Sequence, residues 1–404
     1  MSEIDTRVSL DMNIAIYTTS DFPFGGAPEN FVRQMALGLS SLGSAVKIIL
    51  LRGHYAEPAI NDTGIGCSNL FFKRRFKREI FKFIELVLII FAIPVSVIRN
   101  RIQHKTKVIL LYGIEYFYLV LPFYIVGSIF GIKVYRVITD RYTDRGIAPT
   151  WWKKPKLFFY QLQYRYFDRF LSGVICLSHY LYQNSIDNGV DGNKICIIPH
   201  FIDIEQFSNE ASKITPFPGE SIRIGICGTL NKENGLFVLL KAFVFLKKDY
   251  PDIELTLIGP VSEADSVVSK EISKEVLDSV HFVGRVNGSL VPELLSTCDI
   301  LVNPRISGTF AEAGFPTKLG EYFATKRPVV ATAVGDLNLY FENKRELILV
   351  EPDSAEAIAD GILLLIRNKE LAKQIGIGGF SWARVNVEYK NSARRLLEFI
   401  GNRG

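Results

Sequence analysis

The sequence predicts an α/β protein with two doubly wound domains, each a parallel sheet between helices, and three observations point there. At 404 residues the chain exceeds one ordinary core and suits two domains of about 150–200 residues each. Short apolar runs without polar alternation recur along it between helical stretches, the pattern of strands buried on both faces. A cluster rich in Ser, Thr, Pro and Gly, NEASKITPFPGES (209–221), separates the runs into two sets, as a linker would.

In the first half the runs are NIAIYTT (13–19), VKIILL (46–51), VILLY (108–112), VYRVI (134–138), GVICLS (173–178) and KICIIP (194–199). In the second they are IRIGIC (222–227), IELTLIG (253–259), HFVG (281–284), DILVNP (299–304), RPVVAT (327–332) and LILVEP (347–352). The final stretch from Phe380 places apolar residues at helical spacing with basic residues opposite, which predicts a closing helix. The expected division is 1–208, a linker at 209–221, a second domain at 222–380 and the closing helix at 381–404, with the two domains facing a cleft.

Composition narrows the class. Hydrophobic residues make up 48% and charged residues 22%, without a tract polar enough for disorder. The opening MSEIDTRVSLDMNIAIYTTS has early acidic residues and no apolar run leading to a cleavage site, so the expectation is a cytoplasmic protein. Cys67, Cys176, Cys196, Cys227 and Cys298 are scattered, lack metal-like spacing and read as reduced, buried thiols. The net charge of +5 is owed mostly to residues 71–107. No nucleic-acid module is visible, and no nucleic-acid partner is expected.

Residues 71–107, FFKRRFKREIFKFIELVLIIFAIPVSVIRNRIQHKTK, have the most unusual composition. Phe72, Phe76, Ile80, Phe83, Val87 and Ile90 recur at spacings of three and four, while Lys73, Arg74, Lys77, Arg78 and Lys82 lie mainly off that stripe. This predicts a basic amphipathic helix running into a short apolar one. The uncharged run Leu86–Ile98 holds Pro94 and is too short for a bilayer, which takes about 20 residues. Such a segment lies on an anionic membrane surface or forms a core helix with a solvated basic face. The apolar region 108–135 is interrupted by Glu115, Pro122 and glycines, and it divides into strand, helix and strand.

Chemistry concentrates in GFPTKLGEYFATKRPVVATAVG (314–335). Pro316 suits the first positions of a helix, and the N–H groups of a first turn attract anions such as phosphate. Gly314 allows close backbone approach. Lys318 adds a full positive charge, and Glu321, on the same face, can accept hydrogen bonds from a sugar diol. A Lys318–Glu321 surface pair is the plain alternative. Arg305 closes the strand DILVNPR, where a guanidinium could grip phosphate bidentately. Gly25 and Gly26 occupy the first strand-to-helix loop, and GTLNKENG (228–235) the equivalent loop of the second half. Asp140 ends a strand and either faces the cleft or caps a turn. His200 near the domain junction is structural or catalytic. Asp203 and Glu205 form a DxE, to which no metal is assigned.

The order FGGAPENFVRQMALGLSSLG, GVICLSHYL, NKICIIPHFIDIEQF, GTLNKENGLFVLLKAF, VHFVGRV, LLSTCDILVNPR, GFPTKLGEYFATKRPVVAT resembles the retaining glycosyltransferases of family 4, which have the GT-B fold. The resemblance runs from about residue 13 to 385 and is similar to a branch with an NPR…GFPTKLxEY signature. It implies a nucleotide-sugar donor held by the C-terminal domain, an acceptor held by the N-terminal one and no required metal or other cofactor. Carried over by position, Glu321 matches the glutamate that binds the donor ribose. Gly314, Phe315, Pro316 and Thr317 match the loop meeting sugar and diphosphate, Gly25 and Gly26 match the first glycine loop, and Arg285 with Val286 falls where the base edge is met.

The sequence also departs from the pattern. The family's first glutamate falls on Ala313, with Glu312 adjacent. The arginine and lysine that usually grip the diphosphate fall on Thr229 and Asn234, with Lys232 as a displaced cation. A histidine usual near the end of an N-domain strand is absent at LYGIEY. Either Lys318 and Arg305 have taken over charge neutralisation, or the chain is a binder without turnover. The expected function is a peripherally membrane-bound retaining glycosyltransferase acting on a lipid-linked or surface-polysaccharide acceptor, with catalysis by Lys318, Arg305, Glu321 and Asp140. The rivals are a sugar-nucleotide epimerase on the same fold and a membrane-associated scaffold.

Overall fold

A computed structural model describes residues 12–20, 26–51, 65–70, 79–139, 154–217, 221–261 and 274–402. The chain divides into two compact units, one of residues 1–201 with 389–404 and one of residues 202–388.

The first unit runs β1 (Asn13–Thr18), α1 (Ala27–Ser41), β2 (Ala45–Leu50), β3 (Gly66–Asn69), α2 (Glu79–His104), β4 (Val108–Tyr112) and α3 (Phe117–Phe130). It continues through β5 (Lys133–Ile138), α4 (Lys154–Leu162), a π-helical turn (Gln163–Phe167), β6 (Gly173–Cys176), α5 (His179–Asp187) and β7 (Ile195–Ile197). The strands form one sheet in the order β3-β2-β1-β4-β5-β6-β7, every pairing parallel. Strand alternation divides its apolar residues between two layers. Ile14 and Ile16 face Phe31 and Met35 of α1, whereas Ala15 and Tyr17 face Ile89, Ile93 and Val97 of α2. Tyr17 Oη also receives a hydrogen bond of 3.1 Å from Asn100 Nδ2, tying α2 to the sheet. Beneath the π-helical turn, the buried Arg136 donates from Nε to Asp168 Oδ1 (2.8 Å), and Gln163 Nε2 donates to the same oxygen (2.8 Å). This arrangement satisfies an ion pair that would be costly to bury alone.

The second unit runs α6 (Ile204–Ser212), β8 (Arg223–Cys227), α7 (Leu236–Asp249), β9 (Glu254–Ile258), α8 (Lys274–Leu277), β10 (Val280–Gly284), α9 (Val291–Ser296) and β11 (Ile300–Asn303). Then come α10 (Thr309–Ala313), α11 (Lys318–Ala324), β12 (Val329–Thr332), α12 (Leu337–Tyr340), β13 (Ile348–Val350), α13 (Ala355–Arg367) and α14 (Lys369–Asn386). Its sheet is again parallel, in the order β10-β9-β8-β11-β12-β13. One face packs on α7 and α13, the other on α11 and α14.

The predicted α/β architecture with two parallel sheets is what the structure shows, and every predicted run holds a strand. The boundaries differ. The division falls between Phe201 and Ile202, and residues 209–212 continue α6, whose Ile204 and Phe207 pack into the second unit's core. The closing stretch is two helices, the end of α14 and then α15 (Tyr389–Gly401), and α15 belongs to the first unit. It lies so close to α1 that a Cβ on Gly38 would stand 2.5 Å from Tyr389 O, so only glycine permits the approach.

The 71–107 segment also reads differently in part. Residues 71–78 and the side chains of 79–83 lie outside the described residues. From Ile84 on, a single helix continues through Pro94 to His104. Val87 and Ile90, two members of the expected stripe, are half-buried, and Ile90 packs against the sheet. The exposed apolar residues are a different set, Ile84, Leu88, Phe91, Val95 and Ile102. Among the described residues no helix is long and apolar enough to cross a membrane.

Candidate functional site

In the second unit, β8 leads to β9 on one side and the chain later returns to β11 on the other. Such a switch in strand order leaves a crevice at the carboxyl ends of the two strands, where ligands of open α/β sheets bind. The crevice is bounded by Cys227–Gly228 after β8, Asn303–Arg305 after β11, and the start of α11.

Three interactions hold it. Tyr322 Oη accepts a 2.7 Å hydrogen bond from Cys227 N and donates to Cys227 O at 3.3 Å, fixing α11 to the end of β8. Gly228 has φ +120°, and a Cβ there would stand 3.2 Å from Lys318 Nζ, so the residue opens space where the lysine head lies. Arg305 Nη1 donates to Gly314 O (2.8 Å), and its guanidinium lies 4.9 Å from the centre of the Phe310 ring, which orders the β11–α11 loop.

The electrostatics are unusual. Arg305 is 8% exposed and its Nε has no hydrogen-bond partner. Burial pulls its pKa down to about 10. Lys318 Nζ is enclosed and likewise without a partner. Burial, reinforced by the Arg305 charge, pulls its pKa down to about 8. Burial pushes the Glu321 carboxyl up to about 7, opposed by the Lys318 charge. Lys318 and Glu321 thus share a face of α11, as their spacing predicts, but they do not form the surface ion pair that was the plain alternative. Two enclosed cations short of hydrogen bonds are suited to an anion, because each pKa would rise again beside a negative charge.

The other expected residues divide sharply. Phe315 is buried and stacks on Trp382 at 6.1 Å between centroids. Pro316 precedes α11 rather than opening it. Thr317, which already has helical dihedrals, stands at the cap position without a side-chain cap bond, and Pro316 O accepts from Leu319 N at 2.9 Å. Asn234 spends its amide inside its own loop, donating to Thr229 O (2.9 Å) and Asn231 Oδ1 (2.8 Å). Thr229 and Lys232 are exposed in that loop. Arg285 is exposed after β10, and Val286 packs against the core shared with α11. Gly26 stands in the first unit, its N–H donating to Glu29 Oε2 at 2.9 Å in a capping box. Gly25 and Asp140 lie outside the described residues.

Glu312, beside the buried Ala313, accepts from Gly335 N (3.3 Å). His200 is buried, with Nδ1 against Phe201 N at 2.7 Å, and burial holds its pKa down at about 4. It is therefore neutral near pH 7. Among the described residues no group of three or more His, Cys, Asp or Glu is placed to hold a metal ion. Asn303 ends the apolar run Ile300–Val302 at the end of the strand where ligands bind, a place legible in the sequence, although the sequence assigns it no role of its own.

The chain is similar to known proteins. The family described as glycosyl transferases group 1 matches residues 207–382, which lie within the second unit. An uncharacterised glycosyltransferase of Methanocaldococcus jannaschii is 24% identical over 233 residues, covering 55% of this chain and 58% of that protein. A putative teichuronic acid biosynthesis glycosyltransferase of Bacillus subtilis is 29% identical over 196 residues, covering 47% and 46%. The chain thus spans less than two thirds of the length of these relatives. Among solved structures, Anabaena HepE in complex with UDP and glucose superposes with a TM-score of 0.70 at 16% identity, covering 96% of this chain and 99% of that one. The fold is GT-B, two Rossmann-like α/β domains with a helical C-terminal end.

Proposed function

We propose that this protein is a retaining glycosyltransferase that takes a sugar from a nucleotide-diphosphate donor and passes it to a lipid-linked or surface-polysaccharide acceptor. The observation that carries this reading is the pair of enclosed cations, Lys318 and Arg305, at the β8–β11 switch point, within the stretch matched by group 1 glycosyl transferases. The UDP and glucose bound by HepE, whose fold is the same, support a nucleotide-sugar donor. The teichuronic acid relative supports a polysaccharide product.

In the reaction the bond between the sugar's anomeric carbon and the diphosphate oxygen breaks, and a bond to the acceptor oxygen forms on the same face. The acceptor's proton passes to the departing phosphate oxygen, so no protein base is needed. Lys318 and Arg305 stabilise the charge that develops on the diphosphate, and enclosure makes that stabilisation stronger than it would be in water. Glu321 receives the ribose hydroxyls. Asp140 is proposed to contribute to catalysis and Gly25 and Gly26 to hold the donor, while the first unit binds the acceptor. No metal is required in this scheme.

The chain works from the cytoplasmic face of a membrane, held by the exposed apolar residues of α2 together with Ile125, Ile129 and Phe130 of α3. The basic residues 73–82 and Arg99 add attraction to anionic headgroups, worth about 1 kcal/mol each near the surface.

The test is calorimetric titration with UDP, GDP and their sugar conjugates, on wild type and Lys318→Ala. One nucleotide should bind in the micromolar range and lose at least tenfold in the variant, about 1.4 kcal/mol. If none binds, the transferase reading fails and a scaffold takes its place. Sugar conversion without acceptor would instead identify an epimerase.

A further inference from the structure

Asn303 closes β11 at the crevice and is 0% exposed, yet neither Oδ1 nor Nδ2 has a hydrogen-bond partner. Strand alternation puts its side chain on the face of Leu301, which shares a core with Cys227, Ala331, Leu319 and Tyr322. Asn303 is paired level with Ala331, and the Leu301–Gly225 pairing, continued two residues, brings it level with Cys227. The Cys227 thiol feels the charges of Glu321 and Lys318, so this end of the layer adjoins the first turn of α11. An unpartnered buried amide costs stability that an apolar side chain would not, and the rest of the strand, Ile300, Leu301 and Val302, is apolar.

The amide narrows the ligand in a way the cations do not. Arg305 and Lys318 only donate, which suits phosphate oxygens. An amide both donates and accepts, and phosphate oxygens would leave Oδ1 unmet, whereas a hydroxyl satisfies both atoms. We propose that Asn303 is a specificity-determining contact for one hydroxyl of the donor, on the ribose or on the transferred sugar. This inference rests on the donor-site reading above.

The full-length chain and Asn303→Leu are titrated by calorimetry with UDP, GDP and their glucose conjugates, then with 2′-deoxy and 3′-deoxy forms of the nucleotide that binds. Asn303→Leu is expected to lose tenfold or more in affinity while its thermal midpoint stays equal or rises, since no bond is lost in the free protein. The penalty for one missing hydroxyl in wild type should vanish in the variant. Dependence on a ribose hydroxyl assigns the contact to the ribose, and a loss confined to the conjugates assigns it to the sugar. Asn303→Ser, which keeps a donor and an acceptor, is expected to fall between and serves if the leucine variant does not fold. Unchanged affinity with a lowered midpoint would show a purely structural amide and overturn the proposal. An equal loss for hydroxy and deoxy forms and conjugates alike would also overturn it, in favour of a phosphate contact. If wild type binds no nucleotide at all, the donor-site reading is what has failed.

Discussion

Lys318 and Glu321 carry pKa values displaced toward one another, to about 8 and about 7, and each displacement has a consequence of known sign. A lysine whose folded pKa lies below its ordinary value is disfavoured as a cation, and a bound diphosphate reverses that preference. Binding of UDP or GDP should therefore take up a proton when the pH exceeds about 8, and affinity should fall as pH rises further. Calorimetry in two buffers of different ionisation enthalpy measures the uptake, which should disappear in Lys318→Met. Glu321 works the other way. The folded state binds its proton more tightly than the unfolded chain, so its contribution to stability declines from about pH 4.3 and is at its worst above about pH 7. Glu321→Gln should melt above wild type at pH 8 and match it near pH 4, while weakening ribonucleotide binding. Scanning calorimetry at both pH values checks the sign. The sequence displayed both residues and their shared face. It could not show that Arg305 turns one nitrogen back to Gly314 O, because that bond depends on how a loop folds over the end of β11. Nor could it show that Asn234 is consumed by its own loop, since the same residue type near a loop's end serves a ligand or a turn equally well.

Elements were legible to the degree that their burial was uniform. Strands covered on both faces appear as unbroken apolar runs, and each such run holds a strand. β3, GCSN, escapes that rule because its residues are small or polar and none is buried, whereas β7, β10 and β13, edge strands too, keep apolar runs. In α2 the sequence is apolar around most of the helix, so spacing alone could not select the outward face. Packing against the sheet does so by burying Ile89, Ile93 and Val97 and leaving Phe91 at 72% and Val95 at 66% exposed. Replacing both Phe91 and Val95 by Glu should cut binding to anionic phospholipid vesicles at least tenfold without changing nucleotide affinity. Co-sedimentation with and without phosphatidylglycerol reads the first, and titration calorimetry reads the second. Equal vesicle binding by wild type and variant would remove α2 from the membrane contact.

At the scale of the molecule, the two sheets follow from the sequence, while the path of the chain between the units does not. The polar cluster at 209–221 has a linker's composition, yet its first four residues lie in α6, which already belongs to the second unit because Ile204 and Phe207 find their core there. The return of α15 to the first unit is equally hidden, since its amphipathic spacing states that one face is buried and not against what. Removing residues 389–404 should uncover α1 and lower the melting of the first unit, while the second unit, with its own core, unfolds as before. Hydrogen exchange resolved by segment distinguishes the two.

The close approach of α15 to Gly38 also orders events during synthesis. Leu396, Leu397 and Ile400 complete a layer whose other members, Phe31, Met35 and Leu39, were made more than three hundred residues earlier. At about 5–20 residues per second, residues 202–388 occupy the ribosome for roughly 10–40 s before the missing helix arrives. Throughout that interval the older unit carries an open apolar face. The younger one, a continuous segment, can close as soon as it emerges, so the half of the molecule that begins first is the half that finishes last.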